Sequence, residues 1–352
     1  LIGNISDTRT LDPSIDYTIT GPVIIEEGGI LNIPAGMDIK AERGFNSYIL
    51  VLQGGKINID GTADAPVRIT ADTENAKAGH WGGLIINGKA PLAGNTIGST
   101  EISSAYQYGG DNPEDSSGRI SYLTLEYTGA RSSADVEHNG LTLNGVGSGT
   151  KIENLYIPYA ADDAIAFFGG TVDVKNLLVV NSDDDMFDFT QGYSGTLENA
   201  YGIWEEGFGS TEADPRGIEA DGNLDGNFPS HTGQSNFNIH NITFDLRLAE
   251  ATDQDPSNLS NKMQDIIKVR RGAKATITNA LVKGTGTAID LIDLNDSKGS
   301  ADAATKIDLT SELVNDILGK EINPEEGFPQ SQISTGNTGC PTGIFSWSKY
   351  EF

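Results

Sequence analysis

Two short stretches, Asp162-Asp163 and Asp183-Asp184-Asp185, place five carboxylates in two groups 22 residues apart, counted from 163 to 185. If the two stretches sit on stacked turns about 4.8 Å apart, their charges repel and require a cation, basic partners or deep solvent. A divalent ion such as calcium is one answer, because it takes six to eight oxygen ligands. Paired carboxylates also serve as general acid and general base in glycoside cleavage. The structural alternative is that these are solvated corner residues, since aspartate favours turns.

Other groups extend the same chemistry. Asp188 and Glu219 add carboxylates, while Arg216, Lys268, Arg270 and Arg271 stand out in a chain with only 23 basic residues. Asp163, Asp185, Asp188, Arg216 and Arg270 are the catalytic candidates. Asp162, Asp163, Asp184, Asp185, Trp204 and Glu219 are the candidate ligand contacts. Arginine and acid in register equally suit a structural ion-pair ladder. A separate stretch, Asp221-Gly222-Asn223-Leu224-Asp225-Gly226, fits the first half of a calcium loop, so Asp221, Asn223 and Asp225 are candidate metal ligands. Its twelfth position is Thr232, where a bidentate glutamate belongs. His80, His138, His231 and His240 show no metal-ligand spacing, and His240 is expected to point outward from a strand. Trp81, Tyr106, Tyr108, Tyr193 and Trp204 are candidates to stack on sugar rings or to cover core.

The elements that must position these groups are legible as repeats. Ile152-Glu153-Asn154-Leu155, Val174-Lys175-Asn176-Leu177, Leu197-Glu198-Asn199-Ala200, Ile239-His240-Asn241-Ile242 and Ile277-Thr278-Asn279-Ala280 share one pattern. The asparagines step by 22, 23, 42 and 38 residues, as though insertions lengthen the later turns. Such a period signals a solenoid. Alternation at Leu141/Leu143, Ile165/Phe167 and Phe187/Phe189 puts every second side chain on a core face, so each turn is read as two strands. A buried asparagine repeated at one corner is expected to bond its copies above and below.

Fifty acidic against 23 basic residues give a formal charge of −27, which repels nucleic acid and anionic membrane surfaces. The single cysteine, Cys340, excludes an intramolecular disulfide and a cysteine zinc cluster. No apolar run reaches the length of a membrane span. The chain starts at Leu1 without methionine, basic n-region or apolar h-region, so removal of an export segment is expected.

Strands are expected from residue 17 to about 292, with excursions at 87–118, 126–138, 204–236 and 245–264. The excursions at 126–138, 204–216 and 245–264 leave the same corner at which 159–163 and 181–185 are short, which predicts walls around an acidic floor. Ser311 to Gly319, with apolar residues at 313, 314, 317 and 318, reads as a short amphipathic helix. That helix, with the tail through Phe345 and Trp347, is expected to cover the C-terminal end of the coil or to pack on its side.

The stretches NGLTLNGVGSGTKIENLYI, ADDAIAFFGGTVDVKNLLVV and DDDMFDFTQGY, then RGIEADGN at 216–223 and VRRGA at 269–273, with HWGGLIINGKAPL at 80–92, closely resemble a family of exported parallel β-helix surface proteins, including lipoproteins, of Gram-negative bacteria. That resemblance spans about 17–292 and implies the fold and a cell-surface or secreted destination, without an established reaction. ADDAIAF is also similar to the paired-aspartate turn of polygalacturonase-type glycosidases, although the accompanying Gly-His-Gly and Arg-x-Lys signatures are absent.

The expectation is therefore an all-β chain, a right-handed parallel β-helix forming one domain over 1–352, with loop excursions and a short C-terminal helix. Its expected role is an exported monomer that binds a glycan or another extracellular ligand, with calcium as an assisting ion. A polysaccharide hydrolase or lyase is the alternative, the lyase using Arg216 or Arg270 as base, and a structural spacer or adhesin is the third.

Overall fold

A computed structural model describes residues 1–352 apart from 134, 135, 252, 254, 256, 259 and 260. The chain winds as a parallel β-helix. One sheet stacks 11 strands, from Gly3–Ile5 through Leu141–Asn144, Ile165–Phe168 and Phe187–Thr190 to Ile322–Asn323. A second has 14 strands, 11 of them stacked along its main path, from Thr8–Thr10 through Lys151–Pro158, Val174–Val180 and Thr196–Trp204 to Gln332–Ile333. The coil thus extends past both expected limits, 17 and 292.

Each turn has three faces rather than the expected two, because the longer strands bend where an asparagine enters the left-handed region. Asn154, Asn176, Asn199, Asn241 and Asn279 have φ of 59, 57, 61, 59 and 53°, a conformation that asparagine tolerates better than most residues. Nearer the N-terminus the two halves are separate strands: Gly118–Leu125 pairs with Lys56–Asp60 through one half and with Val67–Ala71 through the other. At the bend each asparagine amide donates to the carbonyl of the previous one, from Asn176 on Asn154 (2.9 Å) to Asn279 on Asn241 (2.8 Å). The column ends on backbone, where Asn279 Oδ1 accepts the N–H groups of Thr338 (2.7 Å) and Gly339 (3.1 Å). Side chains of neighbouring turns lie in register, as in Ile165 over Phe187 over Ile218. The inward sides form one apolar core with a ring stack of Phe167, Phe189 and Phe237 at centroid spacings of 4.8 and 4.4 Å.

At the C-terminus the expected helix is not formed, and of the two expected placements the tail takes the side of the coil. Residues 311–319 form no helix: Lys306–Leu313 is a strand, and the following backbone continues the ladder, with Val314, Leu318 and Gly319 N–H groups donating to Gly284, Ala288 and Ile289 carbonyls. Parallel pairing satisfies the groups that a helix would have satisfied internally. Phe345 and Trp347 lie in a short 3₁₀ helix, Thr342–Ser348, which covers the flank of the coil over Tyr156, Leu178, Val180, Tyr201 and Ile203.

Candidate functional site

The site is built where two short corners meet the outer side of the 11-stranded sheet. Each corner opens with a left-handed residue, Tyr159 (φ 64°) or Asn181 (φ 55°). Asn181 is held by Glu205, whose N–H donates to Asn181 Oδ1 (2.9 Å) while the Asn181 amide donates to Glu205 Oε2 (2.8 Å). The aspartate carbonyls then enter the ladder: Gly140 N–H donates to Asp163 O (2.8 Å) and Ala164 N–H to Asp185 O (3.1 Å). With their backbone so used, the side chains are left to face outward.

They face a cavity of about 530 Å³. Asp162 and Asp163 from one corner, Asp184 and Asp185 from the next, and Asp188 from the Phe187–Thr190 strand form its floor, with Phe168, Thr190 and Gln191 beside them. Ser99, Glu101 and Tyr108 from the 87–118 excursion, Glu137 from 126–138, Asp214 and Arg216 from 204–216, and Leu224 and Asp225 beyond Asp221 wall it. Arg131 ties two walls together by ion pairs to Glu137 (3.4 Å) and Glu212 (2.8 Å). The wall expected from 245–264 does not line the cavity among the described residues; the 87–118 and 222–236 segments take that place. Asp183 is absent from the lining, and its carboxylate instead accepts the Thr211 N–H (2.7 Å) and hydroxyl (2.5 Å).

The carboxylates are held in conditions that oppose ionisation. Burial, reinforced by neighbouring acids, pushes Asp162, Asp163, Asp185 and Asp188 well above the usual carboxylate range. Burial, with Asp214 and Glu219 nearby, raises Asp184 to about 7, against the opposing pull of Arg216. Asp185 is only 4% exposed, and its Oδ1, like Asp184 Oδ1, is buried without a hydrogen-bond partner. Asp163 is partnered on one oxygen, which accepts the Asp185 N–H at 3.1 Å.

The basic residues are already paired with acids beside or beyond the floor. Arg216, the one base among the described lining residues, pairs with Asp214 (2.7 Å), Glu219 and Asp265 (3.3 Å). Arg270 pairs with Glu219 and with Asp221 (2.8 Å), and Arg271 with Asp221 (2.5 Å) and Asp296 (2.6 Å). Lys268 pairs with Asp293 and lies 3.8 Å from Asp265. Glu219 therefore lines the cavity as a bridge between two guanidiniums, and Arg270 belongs to the ion-pair ladder rather than to the floor.

Several sequence candidates fall outside this site. Trp204 is 1% exposed, packs on Phe208 and donates its indole N–H to Ser182 O (3.1 Å), so no ligand reaches it. Trp81 and Tyr193 are core residues as well, Tyr106 lines a separate hollow, and only Tyr108 of the aromatic candidates lines the cavity, its hydroxyl donating to Gln191 Oε1 (2.9 Å). Of the calcium-loop candidates Asp221, Asn223 and Asp225, Asp221 and Asp225 line the cavity. Asp221 gives its oxygens to Arg270 and Arg271, and Asn223 holds Gln234 (2.8 Å) and the Phe228 N–H (2.8 Å). His240 is exposed and meets Thr278 Oγ1 at 2.7 Å, whereas His138 is buried on the Phe45 carbonyl (2.9 Å) and desolvation lowers it to about 4. Glu101, Glu137 and Asp214 were missed by sequence reasoning, because loops of irregular composition carry no register from which to place a side chain.

No curated protein matches the chain. Among solved structures, the catalytic domain of a GH87 alpha-1,3-glucanase in complex with tetrasaccharides aligns at 9% identity and a TM-score of 0.36, covering 95% of this chain and 62% of that one. Among the described residues no helix is long and apolar enough to cross a membrane. The family model described as a pectate-lyase-like beta helix domain matches residues 3–349, and the chain belongs to that family.

Proposed function

We propose that this chain is an exported, cell-surface or secreted glycan-binding protein, and that the glycan seats in the acidic cavity. The observation that carries the reading is the pair of buried carboxylate oxygens, Asp184 Oδ1 and Asp185 Oδ1, that have no hydrogen-bond partner at the base of an open cavity. Buried polar atoms are nearly always paired, and sugar hydroxyls are donors in abundance. Among the described residues no lining base is free to receive a uronate or sulfate, so neutral glycans are favoured over anionic ones.

The test is titration calorimetry against a broad panel of neutral and acidic polysaccharides. Binding to at least one polymer is expected, with at least a tenfold loss in Asp163→Ala/Asp185→Ala; absence of binding across the panel overturns the proposal. Hydrolysis is the second reading, favoured by Asp184, which holds its proton to about pH 7 beside other acids. It requires new reducing ends on the bound polymer, and their absence removes it while leaving binding intact.

A further inference from the structure

We infer that Asp162, Asp163 and Asp184 hold one divalent cation, of the calcium class, which staples two successive turns of the coil and forms part of the floor of the cavity. The inference is independent of the glycan reading.

One oxygen from each of the three lies within 4.8 Å of the others. Calcium sits 2.3–2.6 Å from its oxygens, so ligands on opposite sides of the ion are about 5 Å apart. The donors are hard carboxylate oxygens without nitrogen or sulfur, which suits calcium better than a transition metal. Two of them come from the 159–163 corner and one from the 181–185 corner, so an ion would offset the repulsion that stacking imposes.

An independent observation lies beside the triad. Asp185 is 4% exposed, lines the same cavity, and its Oδ1 lacks a partner. Buried polar atoms are rarely left without a partner.

The other two acidic clusters show what neutralisation by the chain itself looks like. Asp265, Asp290 and Asp293 also lie within 4.8 Å, but Lys268 pairs with Asp293, and Asp290 accepts the Lys320 N–H (2.5 Å) and the Asn323 amide (3.1 Å). In the cluster of Asp185, Asp188 and Glu219, both glutamate oxygens are taken by Arg216 and Arg270. No lysine or arginine ion pair involves Asp162, Asp163 or Asp184 among those formed by the described residues. The remaining ligands would be water or hydroxyl oxygens from the cavity side.

The experiment is calcium titration of the chelator-treated full chain at pH 7.5, read by calorimetry and by ions retained after dialysis. One ion per chain is expected, with a melting temperature that rises on adding millimolar calcium, because an ion bound only by the folded state must stabilise it. Asp162→Asn and Asp184→Asn, checked for folding by circular dichroism, should each weaken binding at least tenfold, whereas Asp7→Asn, exposed and distant in the sequence, should leave it unchanged. No retained ion together with an unchanged melting temperature overturns the inference, as does calcium binding that survives both substitutions. Glycan binding that persists in chelator would leave the Proposed function standing without the ion.

Discussion

Asp184 and Asp185 adjoin in the chain, yet their surroundings differ, and so does the work each can do. Arg216 reaches toward both and favours their ionised forms, but burial acts more strongly in the opposite direction. The consequence for stability has a definite sign. As pH rises from the ordinary carboxylate value of 3.8 to about 7, the unfolded chain releases protons that folded Asp184 retains, so stability falls across that window. The ligand-free, chelated chain should therefore melt higher at pH 5 than at pH 8. Asp163→Asn keeps an oxygen for the Asp185 N–H and removes a charge, so it should raise the pH 8 melting temperature by about 2 °C or more and flatten the pH dependence. Differential scanning calorimetry of both proteins at the two pH values checks this. A variant that melts lower at pH 8 would show that Asp163 is structural rather than held for a ligand. Stability surrendered at a binding floor is a familiar exchange.

At the scale of elements, the bend decides where everything else sits. Asn199 donates to Asn176 and accepts from Asn241, both at 2.9 Å, while its backbone occupies φ 61°. Asn199→Ala should cost about 2–4 kcal/mol in chemical denaturation, from two hydrogen bonds and left-handed strain together. A loss below about 0.5 kcal/mol would mean that the column contributes nothing beyond its corners. These asparagines were legible because a period-two pattern and a 22-residue step constrain the same positions independently. The helix expected at 311–319 misled because Leu313, Val314, Ile317 and Leu318 match helical spacing, whereas the preceding turn's carbonyls were already offering partners to that backbone. Local pattern lost to ladder continuity. Similarly, Trp204 is an aromatic that suits sugar stacking as well as core coverage, and it lies on the inward side of its strand, where the core claims it.

Across the whole molecule, a formal charge of −27 is distributed unevenly in its consequences. Surface acids are solvated, and the Arg216, Lys268, Arg270 and Arg271 network neutralises the acids on the strands that follow the floor. The floor itself is left with carboxylates that the chain does not balance. Stacking makes this possible, because each turn can repeat an acidic corner directly above the last while insertions elsewhere in the turn raise walls. The floor aspartates were readable from that register. The walls were readable only in part: 126–138 and 204–216 line the cavity as expected, whereas 87–118 and 222–236 reach it through turns whose path composition does not specify.

The most direct test of a ligand seated on these corners is hydrogen–deuterium exchange of the full chain with and without a glycan identified by titration. Slower exchange is expected at 159–163, 181–188 and the 209–216 wall. Protection confined to other surfaces, such as the flank under 340–352, with those corners unchanged, would contradict it.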